Sequence, residues 1–222
     1  MTMSRQRPQP GTRPTTPTQA WAVLAAGNAR FMAGEREHPN QDIHDRHKLA
    51  AKQRPFAVFF GCADSRVAAE IIFDQGLGDL FVVRTAGHVV DSSVLGSMEF
   101  GVGVLQIPLI VVLGHDSCGA VNAAVDAFQT GDMPTGFVRD IVERVTPSVL
   151  AASKHGEAGI DQIEAEHVRQ TARLLAERSH LIADRIAAGT LGIVGATYNL
   201  REGQARVVDA LGVRVEATTT SP

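Results

Sequence analysis

The stretch LIVVLGHDSCGAVNAAVDAF, residues 109–128, decides how this chain is read. Its first five residues are an unbroken apolar run of strand length, and residues 120–128 place apolar side chains at helical intervals. Between them Gly114, His115, Asp116, Ser117, Cys118 and Gly119 form a turn that puts reactive side chains directly after a strand. A strand passing through a tight turn into a helix is half of a βαβ unit.

The same order recurs on either side. Residues 56–60 form a second apolar run, leading into Gly61, Cys62, Ala63, Asp64, Ser65 and Arg66. Runs at 80–83 and 191–198 read as further strands, and helical patterns cover 67–73, 92–105 and 120–128. Strands that are apolar throughout belong in a parallel sheet covered on both faces. The expectation is an α/β fold with a mostly parallel central sheet of about four strands flanked by helices. A turn at Arg201, Glu202 and Gly203 folds a C-terminal edge strand, 205–209, back as a hairpin. Residues 161–188 read as one long polar helix with Ile163, Val168, Leu174, Leu175, Ile182 and Ile186 inward, closed by Gly189.

At the start, residues 1–17 carry Pro8, Pro10, Pro14 and Pro17 among polar residues and read as a disordered tail. Residues 18–222 read as a single domain. Thr18 reads as the cap of a helix whose face holds Trp21, Leu24, Ala25, Asn28, Phe31 and Met32, ending at Gly34. With no evident partner in its own sheet, this arm is expected to pack on a partner subunit.

The 222 residues are 44% hydrophobic and 20% charged, enough for one core. A net charge of −3 gives no electrostatic support to nucleic acid or an anionic membrane as partner. No run approaches the roughly 20 apolar residues of a membrane span, and the first 19 residues lack the apolar stretch of a secretory signal, so a cytoplasmic protein is expected. In a reducing compartment Cys62 and Cys118 are better read as metal or thiolate chemistry than as a disulfide. A dithiol redox pair would need closer spacing. Either cysteine alone could be an inert core residue.

Ligands of open parallel sheets bind beyond the carboxyl ends of the strands, where Cys62, His115 and Cys118 all fall. Two thiolates and one imidazole suit zinc, and three protein donors leave one tetrahedral position for water. His88 reads as a neighbour of the site or a surface residue, Asp116 as a hydrogen-bonding residue, and His38, His44 and His47 as solvated.

With Cys62, Asp64 and Arg66 as CxDxR, and His115 and Cys118 as HxxC 53 residues after Cys62, the chain resembles the β-class carbonic anhydrases from about Ala20 onward. The resemblance implies one Zn²⁺ per subunit on Cys62, His115 and Cys118, with zinc-bound hydroxide attacking carbon dioxide to give bicarbonate. It implies that Asp64 and Arg66 form a dyad orienting that nucleophile. It further implies substrate contacts from Gln53, Phe81, Ala86, Phe100 and Gly119, with Phe100 entering from a partner, in a homodimer or a dimer of dimers. In a closed state of some members the aspartate caps zinc, a role open to Asp64. A bicarbonate site of one bacterial subgroup would use Arg84 and Tyr198, but Phe59 replaces its tryptophan and cannot donate a hydrogen bond. Carbon disulfide or carbonyl sulfide as substrate, and a noncatalytic zinc or bicarbonate sensor, are the competing readings.

Overall fold

The computed structural model describes residues 13–155 and 158–215. Five strands form one sheet in the order β2-β1-β3-β4-β5: β1 Ala57–Cys62, β2 Leu80–Thr85, β3 Leu109–His115, β4 Gly192–Tyr198 and β5 Ala205–Leu211. The first four are parallel and β5 is antiparallel to β4. The chain steps from β1 to β2 on one side, then crosses back to β3 on the other. That reversal opens a crevice at the carboxyl ends of β1 and β3.

Every residue of β1 and β3 is buried, which is why both read as continuous apolar runs. Alternate residues serve opposite faces. Ala57, Phe59, Leu109, Val111 and Leu113 pack with Trp21, Leu24, Ile72 and Phe73 from helices α1 (Pro17–Ala33) and α3 (Ala69–Ile72) and the residue that ends α3. Val58, Phe60, Ile110 and Val112 face α4 (Ser92–Glu99), α7 (Ile160–Arg178) and α8 (His180–Ala187). The short α2 spans Ile43–Leu49. A third cluster joins Cys62 and Cys118 to α5 (Gly119–Thr130) and α6 (Val138–Ala152) at the crevice.

Three expectations need correction. Residues 1–12 of the expected tail lie outside the described residues, and the expected cap at Thr18 moves to Thr16, with Pro17 already helical. Thr16 caps α1, its hydroxyl accepting from Gln19 N at 3.3 Å, because Pro17 suits the first helical position, where no N–H is needed. The guanidinium of Arg13 donates to the Pro55 carbonyl. Second, the premise that α1 lacks a partner in its own sheet does not hold, while its packing on a partner subunit stays an expectation. Ala20, Trp21 and Leu24 enter the sheet's core, and buried Asn28 donates to Ile72 O and Gly203 O at 3.1 and 2.8 Å and accepts from Ala205 N. Third, the expected 161–188 helix is two helices broken at Ser179, which takes an extended conformation (φ −117, ψ 109). The pattern at 92–105 also changes character, passing from α4 into a π-helical turn at Phe100–Val104.

Candidate metal centre

Cys62 is the last residue of β1 and His115 the last of β3. Ser117, in the left-handed region at φ 55, then turns the chain so that Cys118 precedes α5. The three side chains are buried and their ligand atoms lie within 4.8 Å of one another. The sulfurs are 4.0 Å apart. With Zn–S bonds of about 2.3 Å, two thiolates on one tetrahedral ion stand about 3.8 Å apart, so the observed spacing fits that ion.

His115 Nδ1 lies 2.8 Å from the carbonyl of Asp116. A carbonyl only accepts, so Nδ1 carries the proton and Nε2 keeps its lone pair. That Nε2 is buried and has no hydrogen-bond partner among the described residues, a costly state unless a cation meets it. The two thiols differ sharply. A hydrogen bond from Cys118, opposed by burial and helped by His115 and by Gly87 N–H, holds Cys62 down at about 4, whereas the same contact and burial push Cys118 up.

Asp64 stands beside these donors. Arg66 holds it with a two-pronged grip, Nε to Oδ1 at 2.9 Å and Nη2 to Oδ2 at 2.7 Å, and the Arg66 backbone N–H adds a bond to Oδ1. These contacts, the guanidinium foremost, keep the Asp64 carboxyl well below the usual carboxylate range. Asp64 Oδ2 is 3.9 Å from His115 Nε2. Arg84 braces the loop from beneath, donating to the carbonyls of Cys62 and Asp64. Asp116 accepts from Leu200 N, the hydrogen-bonding role its position suggested.

The residues expected to contact substrate separate into two groups. Exposed Ala86 follows β2 directly before Gly87, whose N–H donates to Cys62 Sγ at 3.3 Å, and exposed Gly119 opens α5 next to Cys118. Both border the cluster. Gln53, Phe81 and Phe100 do not reach it in their own chain. Phe81 pairs with Val58 near the start of β1, Phe100 stacks on Phe81 with ring centroids 6.0 Å apart, and Gln53 precedes β1 altogether. At about 3.3 Å per residue, β1 alone puts its first residue about 16 Å from Cys62.

His88 corrects the surface reading: it is fully buried, at φ 41, and its ring lies tilted by 38° to that of His167, with centroids 4.3 Å apart. The sequence reading also passed over Glu164 and His167, buried on α7, with Glu164 Oε1 accepting from His115 N at 3.1 Å. A signal was present. Lying between Ile163 and Val168, both fall on the inward face of a helix, where a polar residue needs a partner.

A doubly wound sheet carrying a three-donor Cys-His-Cys group at its switch point defines a mononuclear metalloprotein, and a set one ligand short of closure is of the catalytic kind, with zinc as the fitting ion. A family model described as carbonic anhydrase matches residues 57–205. Carbonic anhydrase 2 of Mycobacterium tuberculosis (strain ATCC 25618 / H37Rv) is 60% identical over 198 residues, covering 89% of this chain and 96% of that protein. The solved β-carbonic anhydrase CcaA superposes with a TM-score of 0.66 at 26% identity over 85% of this chain and 95% of its own. A tetrameric β-carbonic anhydrase of Sordaria macrospora shares the fold at a TM-score of 0.67 and 23% identity, over 85% and 96%. This chain belongs to the β-class carbonic anhydrases, which are zinc lyases. Among the described residues, no helix is long and apolar enough to cross a membrane.

Proposed function

We propose that this protein interconverts carbon dioxide and bicarbonate with release of a proton, at zinc held by Cys62, His115 and Cys118. The observation that carries this is the buried Nε2 of His115, without a hydrogen-bond partner among the described residues and close to two thiol sulfurs. Held by Cys62, His115 and Cys118, zinc would supply Lewis acidity of the kind that brings water to a pKa of about 7 in the general carbonic anhydrase case. The chain's own residues do the rest. Asp64, kept ionised by Arg66, has lone pairs left on Oδ2 to accept a hydrogen bond from the attacking water and aim it. Ala86 and the N–H end of α5 at Gly119 border the space where an apolar gas enters and a bicarbonate oxygen emerges.

Gln53, Phe81 and Phe100 stand away from the metal ligands of their own chain, so we assign them to the centre of a second copy. A homodimer, or a dimer of dimers, follows from that assignment. Phe100 and Val104 are 44% and 66% exposed, an apolar surface suited to such contact. Two free cysteines fit a reducing, cytoplasmic setting. Stopped-flow carbon dioxide hydration, with zinc quantified on the same sample, tests the reaction. We expect about one zinc per chain and a rate that rises with pH through neutrality. Stoichiometric zinc with no hydration at any pH would overturn it.

A further inference from the structure

Two polar side chains on the inner face of α7 support the metal centre from behind without offering it a donor atom. Glu164 Oε1 accepts the backbone N–H of His115 and so fixes the last peptide of β3. Nothing can intervene there. A Cβ on Gly114 would come within 2.1 Å of Glu164 Oε1. Three residues on, His167 Nε2 lies 2.8 Å from the carbonyl of Gly87. A carbonyl accepts, so Nε2 is protonated, and Nδ1 lies 3.0 Å from the buried hydroxyl of Ser148 on α6, which itself donates to Gln170 Oε1 at 3.0 Å.

Gly87 is the other end of this chain of bonds. Its N–H points at Cys62 Sγ, 3.3 Å away. It sits at φ 63, and a Cβ would meet the Ala120 Cβ at 2.6 Å, so the loop is both strained for other residues and closely packed. The donor on its carbonyl anchors the peptide that follows Gly87, one α-carbon away from the N–H that meets the sulfur.

We propose that Glu164 and His167 are positioning residues: α7 aims His115 through its backbone, and aims the Gly87 N–H at Cys62 through the Gly87 carbonyl. The inference rests on reading Cys62 and His115 as zinc ligands. A hydrogen bond to a ligating sulfur moderates its donation to the metal, and outer partners of this kind are typically worth 10- to 100-fold in metal affinity or activity. A merely structural role would cost stability and leave the ligand field untouched.

The test compares His167→Leu with His167→Gln, whose amide can still donate to Gly87 O, and Glu164→Leu with Glu164→Gln, which still offers the His115 N–H an acceptor. Zinc Kd is measured by chelator competition, and the thiolate-to-metal charge-transfer band is recorded in cobalt(II)-loaded protein. Both leucine variants should bind zinc about 10- to 100-fold more weakly, and His167→Leu should shift the cobalt band. The glutamine variants should recover most of the affinity. Should a leucine variant not fold, Ser148→Ala, which releases the His167 ring, should move Kd and band in the same direction by less. Folded leucine variants with wild-type Kd and band would overturn the proposal, as would glutamine variants no better than leucine, or an unchanged Ser148→Ala where that variant stands in. Neither readout depends on turnover, so wild-type protein that binds zinc and hydrates nothing would sink the proposed reaction alone.

Discussion

Asp64 and Cys62 sit two residues apart and do different work, and substitution separates them. Cys62→Ser removes a soft donor and should lose zinc. Asp64→Asn leaves all three donors in place but takes away the charge that Arg66 holds and one acceptor oxygen. It should keep zinc and lose about 10²- to 10³-fold in hydration rate. Equal zinc loss in the two variants would make Asp64 a required ligand instead. His88 gives a pH test. Burial first, then His167 and His115, keeps its imidazole neutral well below the usual pKa. In the unfolded chain the same ring binds a proton near pH 6.5. The unfolded state thus takes up the proton first, and stability falls as pH drops below about 6.5, by up to about 1.4 kcal/mol per pH unit for each such histidine. Denaturant unfolding of zinc-saturated His88→Asn between pH 7.5 and 5.5 should show a shallower decline than wild type; parallel curves would refute the assignment. Asparagine suits the test because it tolerates φ 41.

At the level of elements, the junction of α7 and α8 shows where the sequence was and was not legible. Leu175, Ile182 and Ile186 all turn to the same apolar cluster, so hydrophobic spacing runs straight through the break at Ser179. Only the serine marks it. Its hydroxyl accepts from Ile182 N at 3.2 Å to cap α8 and donates to Glu99 Oε1 at 2.6 Å. Ser179→Ala should lower unfolding free energy in urea by about 1–2 kcal/mol through the lost cap, and no change would mean the cap carries nothing. Strands β1, β3 and β4 were legible because they are buried on both faces and write nearly continuous apolar runs, while the edge strand β5 was legible from the turn before it. The ligands were legible because they follow strands at carboxyl ends. Helix α6 was missed: Val142, Val145 and Val149 give it an inward stripe, but Pro147 argues against a helix interior. Spacing alone did not give the stations of Gln53 and Phe81, and the partner role expected of Phe100 came from the family resemblance. A motif's spacing does not say which end of a parallel strand, or which copy of the chain, a side chain will serve.

For the whole molecule, that last point becomes a statement about assembly. β2 is an edge strand, hydrogen-bonded only to β1 among the described strands. Exposed Val82 lies on one face of it, and on the other the half-exposed Phe100 stacks on Phe81. An open edge flanked by apolar side chains invites pairing with a second chain. If Phe100 serves a neighbouring copy, assembly and turnover must be linked. Phe100→Ser should raise the dissociation constant of the oligomer in sedimentation velocity. It should also make hydration per zinc depend on protein concentration, falling on dilution and rising as chains re-associate. The zinc content should stay at wild-type level throughout, because the three donors all come from one chain. A variant that keeps both its mass and its hydration rate per zinc at every dilution would overturn the assignment of Phe100 to a second copy, and with it would fall that of Gln53 and Phe81.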